Sequence, residues 1–361
     1  MKLSIPIINM KLRKMLMVLI VFSATTCFSN SLVNNDTLNS KEELKYVVFK
    51  LDDLQERNWR EFKSITDIII EKDVTADIGI FPLSVHLGDK EYMAYVQSLI
   101  DDPKHFQLFM HGYTGTPKEF FDSDYDTQLE HFYLARTAML MKYDYIMRVY
   151  SYHYYGVNEH TIKIINEDPF MRWVVWKTDD NYLPEKQGLA TMDIRMEGVG
   201  KPDYGNVSFK SYLANWEKYD ADSHSYIVLN GHPAAYTTDS KKNDLKKIAD
   251  DLLKKGFTFT HLTDYRLMLE GHSTDKTAPS IPQGLEVSRK DDLHVTLNWN
   301  TSEDAESGID CYKIYRDGVC INLSATPSYT DKIAGAHNYQ IAAVNKNDLV
   351  SAKSLICKTS L

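Results

Sequence analysis

Cysteine is scarce in this chain, with four in 361 residues. Cys27 lies near the start, and Cys311, Cys320 and Cys357 crowd the end, where three thiols can form at most one disulfide within the chain. None of these spacings is that of a zinc finger. Positive charge is also short, since 41 Lys and Arg face 50 Asp and Glu for a net charge of −9. Residues 1–27 hold four of the cations, Lys2, Lys11, Arg13 and Lys14, and no acid, so the remainder is four charges more negative. An acidic chain is a poor partner for nucleic acid or anionic lipid, which leaves neutral or cationic ligands, sugars among them. The apolar run Met15 to Phe22 is too short to span a bilayer, so no transmembrane segment is expected in the mature chain. A Gly-rich phosphate loop, a nucleophile elbow and a Cys-His pair are all missing, which argues against nucleotide chemistry and acyl-enzyme catalysis.

What is present begins with a basic stretch, the short apolar run and the small and polar residues SATTCFSNS, the pattern of a secretory signal peptide over residues 1–27. The expected location is therefore periplasmic, secreted or cell-surface. Ala-Thr-Thr before Cys27 is a poor lipobox, and a lipoprotein anchored through Cys27 stands as the alternative. Residues 28–45 read as a polar leader. From 46 to 272, strand-like and helix-like runs alternate: YVVFKL, then REFKSITDIIIEK, ADIGIFPL, a helix around Glu91 to Ile100, FQLFMH, and TQLEHFYLARTAMLMKY. DYIMRVYSY, SYIVLNGH and the helix LKKIADDLLKKG, stopped by Gly256, continue the order before FTFTHLTDYRLMLE closes it. Repeated β-then-α order predicts a parallel sheet, with a (β/α) barrel preferred to a doubly wound sheet. Residues 273–282 form a Pro/Ser/Thr linker, and 283–361 carry only short strand-like runs separated by turn residues.

Three strand ends deliver groups able to do chemistry. YVVFKLDDL turns from β-branched and aromatic residues to the adjacent acids Asp52 and Asp53. FQLFMHGYTG places His111 after an apolar strand, with Gly112 permitting close backbone approach, and SYIVLNGHPAAY places His232 likewise. In α/β folds these ends converge on one mouth. Neighbouring acids there can divide labour, one gripping a cation and the other taking a proton. Aromatics crowd YSYHYYG and MRWVVW. Tyr152, Tyr155 and Trp173 are candidates for a platform under a sugar, while Trp176 reads as core.

LDDL, His111-Gly112 with Glu119-Phe120-Phe121 following, and a strand ending in His232-Pro233 occur in the order found in the NodB-homology polysaccharide deacetylases, which residues 46–270 resemble. The resemblance implies a distorted (β/α) barrel and a divalent metal, commonly zinc, that activates water against an acetyl group of a polysaccharide or cell-envelope glycan. It also implies Asp52 as general base, Asp53 and His111 as metal ligands, and His232 as the acid that protonates the leaving amine. The family's second metal-binding histidine lies four residues past the first, and here that position is Gly115. Glu119, Asp122, Asp124, His131 and His153 are candidate replacements; Glu119 is not promoted, because an acidic-Phe pair after the HG motif is general in related sequences. Arg148, in IMRVYSYHYYGVN, lacks the proline of the family's substrate motif, and substrate binding and structural pairing are equally open for it. Residues 283–361 resemble a fibronectin type III module, an immunoglobulin-like sandwich, with Trp299 where that fold's early core tryptophan lies, Tyr312 and Tyr339 on its middle and late strands, and a role as spacer or attachment domain. Two other readings remain: a glycan-binding descendant without catalysis, favoured by Gly115, and a glycosidase using two carboxylates such as Asp53 and Glu119.

Overall fold

The computed structural model describes residues 44–176, 190–191, 194–195, 208–291, 293–333 and 335–359. The expected signal peptide with Cys27, and the leader up to residue 43, lie outside them. β1 (Lys45–Leu54), β2 (Ala76–Ile80), β3 (Phe106–Met110), β4 (Val149–Ser151), β5 (Trp173–Trp176), β6 (Ala190–Thr191), β7 (Ile194–Arg195), β8 (Tyr226–Gly231) and β9 (Phe257–Phe259) build one sheet. Its order is β6-β5-β4-β3-β2-β1-β8-β7, with β9 also pairing β1, and every pairing is parallel. Helices Trp59–Glu71, Lys90–Ile100, Tyr125–Tyr143, Glu159–Glu167, Phe209–Lys218 and Asp239–Lys254 occupy the connections. This is the distorted (β/α) barrel of the NodB type.

Both faces of these strands are covered, which is why YVVF is apolar without alternation. Val47, Phe49 and Leu51 pack outward with helix residues such as Phe62 and Ile65. Val48 packs instead with Phe109, Val149, Trp173, Val175 and Val228. The helix Tyr125–Tyr143 begins where the Asp124 carboxylate accepts from Thr127 N–H at 2.8 Å, and it is apolar on more than one side. Phe132, Ala135 and Met139 belong to the barrel core, whereas Leu140 packs with Cys311, Tyr315, Cys320 and Leu323 of the C-terminal region.

That region is all-β. β10 (Glu286–Asp291), β11 (His294–Asn298) and β14 (Ser328–Lys332) form one antiparallel sheet. β12 (Ile309–Arg316), β13 (Val319–Ser324), β15 (Asn338–Asn345) and β16 (Cys357–Lys358) form a second. Trp299, Tyr312 and Tyr339 are buried together, with the Trp299 and Tyr312 rings 5.2 Å apart. Cys311, Cys320 and Cys357 are all free thiols.

Arg148 joins the two regions. Its guanidinium is 2.6 Å from Asp348 and 2.9 Å from Asp310, and it donates to the Phe170 carbonyl at 3.2 Å. Arg172 meets Asp310 at 3.0 Å, and Lys313 meets Asp144 at 2.9 Å. Arg148 precedes β4, at the end opposite to the one that leads to His153, and its guanidinium is engaged in these pairs. Removing one partner of a buried ion pair strands the other, at about 3–5 kcal/mol. Asp348 is one-third exposed and is partly rescued by water, so Arg148→Ala should cost the lower figure, about 3 kcal/mol, in chemical denaturation.

Candidate active site

The two acids share a site because β1 breaks register beside them. Leu51 pairs with Ile78 but Leu54 pairs with Ile80, so β1 carries one extra residue between these points. Asp53 takes up the irregularity at φ 79°, a left-handed conformation that Asp tolerates better than most residues. Strict alternation would send neighbouring side chains to opposite faces. The bulge lets Asp52 and Asp53 both approach His111, whose Nε2 lies 3.8 Å from Asp52 Oδ1 and 3.3 Å from Asp53 Oδ1.

Asp52 is nearly inaccessible and has a partner two residues back on the same face of the strand. The Lys50 ammonium donates to its two oxygens at 2.5 and 2.6 Å and to Asn230 Oδ1, on β8, at 2.9 Å. Burial pushes the Asp52 carboxyl pKa up, but the nearby His111, Lys50 and His232 outweigh it and hold it below the ordinary value. Asp53 is likewise pushed up by burial, then held well below the carboxylate range by contact with His111 and by the charges of His111, His232 and His153.

His111 ends β3 and is fixed from behind. Its Nδ1 donates to the Ser151 carbonyl at 2.6 Å, so Nε2 is the nitrogen that faces the acids. Neither a neutral Nε2 lone pair nor a carboxylate oxygen can donate to the other, so a proton or a cation must lie between them. Asp53 Oδ1 is buried and accepts no hydrogen bond of normal geometry. His232, after β8, brings Nε2 to 3.8 Å from the other oxygen, Asp53 Oδ2.

His153 arrives from β4. Its Nε2 is 3.5 Å from Asp53 Oδ1, its ring is 5.3 Å from that of His111, and burial, reinforced by His111, pushes its pKa down to about 4. It is therefore neutral at physiological pH, the form in which imidazole binds a metal. Among the described residues, no three His, Cys, Asp or Glu side chains are already spaced to hold an ion. The donor set nevertheless fits a divalent cation: one orphaned carboxylate oxygen, with two imidazole nitrogens turned toward it and a second carboxylate beside them.

The other candidates have separate work. Glu119 accepts from the N–H groups of Tyr113 and Thr114 and from His131 Nδ1, at 3.2, 3.0 and 2.6 Å, so it braces the loop after His111. Asp124 caps its helix. Tyr152 and Trp173 are buried and offer no face to a sugar, and Trp173 Nε1 donates to Glu270 at 3.2 Å. The side chains of Tyr155 and Trp176 lie outside the described residues. Lys50 is the residue at the site that sequence reasoning missed.

No protein-family model matches the chain. Over 84 residues it is 38% identical to exoglucanase B of Cellulomonas fimi, a match covering 22% of this chain and only 8% of that protein. Its fold is similar to that of a candidate polysaccharide deacetylase from Mycobacterium smegmatis, with a TM-score of 0.50 at 13% identity over 66% of this chain and 96% of that one. Lower likeness reaches the Xyl-CE4 domain of a multidomain xylanase from the hindgut metagenome of Trinervitermes trinervoides (TM-score 0.46, 14% identity, 63% of this chain and 92% of that one). It also reaches a CE4 family pseudoenzyme from Bacillus anthracis (0.43, 13%, 60% and 63%), of which this chain spans under two thirds.

Proposed function

We propose that this protein is an exported, metal-dependent hydrolase that removes N- or O-acetyl groups from a polysaccharide or cell-envelope glycan. The observation that carries the reading is the gathering of Asp52, His111 and His232, from β1, β3 and β8, around the Asp53 carboxylate, one oxygen of which is buried without a hydrogen-bond donor. The deacetylase-type barrel supports it, as a fold only. The glycosidase reading is weaker, because Glu119 is spent on backbone N–H groups and His131.

Asp53 and His111 would hold the cation, zinc being the expected one. When bound, such an ion lowers the pKa of water towards neutrality and polarises an acyl carbonyl. Asp52 stays ionised through the working pH range and so can accept the proton of the attacking water. Lys50 limits its basicity while fixing where it points. His232, on the other side of Asp53, is placed to return a proton to the departing nitrogen or oxygen. The C-terminal sheets serve as a fibronectin type III-like attachment module, locked to the barrel by Arg148 and Arg172.

Purified protein supplied with zinc should release acetate from an acetylated polysaccharide, stop when the metal is chelated, and resume when zinc returns. N-acetylated oligosaccharides set against acetylated xylan separate amide from ester cleavage. Glycan retention without acetate release, on protein shown to contain zinc, would establish instead the binding descendant that Gly115 favours.

A further inference from the structure

Position 115, where the resemblance to the polysaccharide deacetylases would put a second metal-binding histidine, is a glycine. We infer that His153, delivered from the end of β4, supplies the third ligand to the cation held by Asp53 and His111; this rests on the metal-dependent reading above. The first support is spacing. Zinc ligands sit about 2.0–2.2 Å from the ion, so two donors on a tetrahedral centre lie roughly 3.3–3.5 Å apart. His111 Nε2 and His153 Nε2 are 3.3 and 3.5 Å from the same oxygen, Asp53 Oδ1. That oxygen has no hydrogen-bond donor in normal geometry, although it is buried. Two nitrogens crowd it without a hydrogen bond of normal geometry, each at the separation expected of two donors on one ion.

The second support is that position 115 is crowded and strained for a side chain. Gly115 has φ +72°, and a Cβ there would fall 3.1 Å from Cγ and Cδ2 of Phe81 and 3.2 Å from Gln55 Nε2. The Phe81 ring packs against both imidazoles, 5.2 Å from His111 and 4.8 Å from His153. A histidine at 115 would need strained backbone and would meet the residue that braces the other two. The chain also spends strain on presenting His153, since the next residue, Tyr154, is held at φ 56°. A Tyr in the left-handed region is costly and usually marks a position fixed by its surroundings.

The test is zinc affinity and stoichiometry by equilibrium dialysis with elemental analysis, and the visible spectrum of the cobalt-substituted protein. Neither needs a substrate. Wild type should bind one ion, and His111→Ala should lose it. Changing a residue behind a ligand already costs about 10–100-fold in affinity, so His153→Ala should cost at least 100-fold and weaken the cobalt bands. His153→Cys, which keeps a ligating atom, should restore much of both. Gly115→His in the His153→Ala background should not rescue binding, because a histidine there sits in strained backbone and against Phe81. Thermal melts establish that each variant is folded; if His153→Ala is not, His153→Asn replaces it. Zinc bound by wild type, lost in His111→Ala and unchanged in the folded His153 variant would overturn this inference alone. Zinc bound by none of them, wild type included, would overturn the metal-dependent reading and the inference with it.

Discussion

Asp52→Asn should lower kcat by about 10²–10⁴-fold, the range over which a positioned general base acts, while the zinc content stays at the wild-type level. The second clause carries the discrimination. Asp53 and His111 are assigned to the cation, and Asp52 Oδ1 stands farther from His111 Nε2 than Asp53 Oδ1 does, 3.8 Å against 3.3 Å. Loss of zinc together with activity would make Asp52 a ligand and leave the base unassigned. A confounding effect has to be removed first. Lys50 is buried and gives Asp52 its two shortest contacts, so the single substitution strands an ammonium ion in the barrel. Replacing both members of a buried pair is often close to neutral for stability, whereas removing one is not. Lys50→Met/Asp52→Asn should therefore fold better than the single variant and be no more active. Recovery of near-wild-type turnover in the double variant would show that the loss came from the stranded lysine, and that Asp52 is not the proton acceptor.

Most of the barrel was legible because its signals are local. Apolar β-branched runs mark β1, β2, β3 and β8, and Gly256, at φ 80°, ends the helix Asp239–Lys254 where the sequence predicted a stop. Asp52, Asp53, His111 and His232 could be read because each lies at or just past the C-terminal end of an apolar strand, so the strand fixes its address. His153 could be placed no better than four other candidates. It follows a strand of only three residues, sits in a run of aromatics, and owes its direction to the turn at Tyr154. Arg148 and the apolar helix Tyr125–Tyr143 owe their environments to the C-terminal sheets, and a contact 200 residues away in sequence leaves no periodic trace. Lys50 was the readable residue that went unread. A lysine inside YVVFKL, two residues before an acid on the same face, is a buried cation with its counter-ion in view.

That pair should set how the enzyme responds to acid. Lys50→Met removes one of the charges that hold the Asp52 pKa below its ordinary value, while burial, which acts the other way, is unchanged. The Asp52 pKa must rise. If Asp52 is the proton acceptor, the acid limb of kcat/KM against pH moves to higher pH in the variant. Stability moves by the same linkage. In wild type the folded pKa lies below the unfolded value of about 3.9, so the unfolded chain binds the extra proton as acid is added. The stabilisation is present above about pH 4 and is lost as pH falls through the lower folded value. In Lys50→Met the buried carboxylate has lost that partner, which costs about 3–5 kcal/mol at neutral pH. Protonating Asp52 costs the folded variant less than it costs folded wild type, so the gap between variant and wild type should narrow as the solution is acidified. Urea denaturation at several pH values measures this directly. A constant gap would mean that Asp52 is not the group relieved by acid, and an unmoved acid limb would mean that some other group accepts the proton.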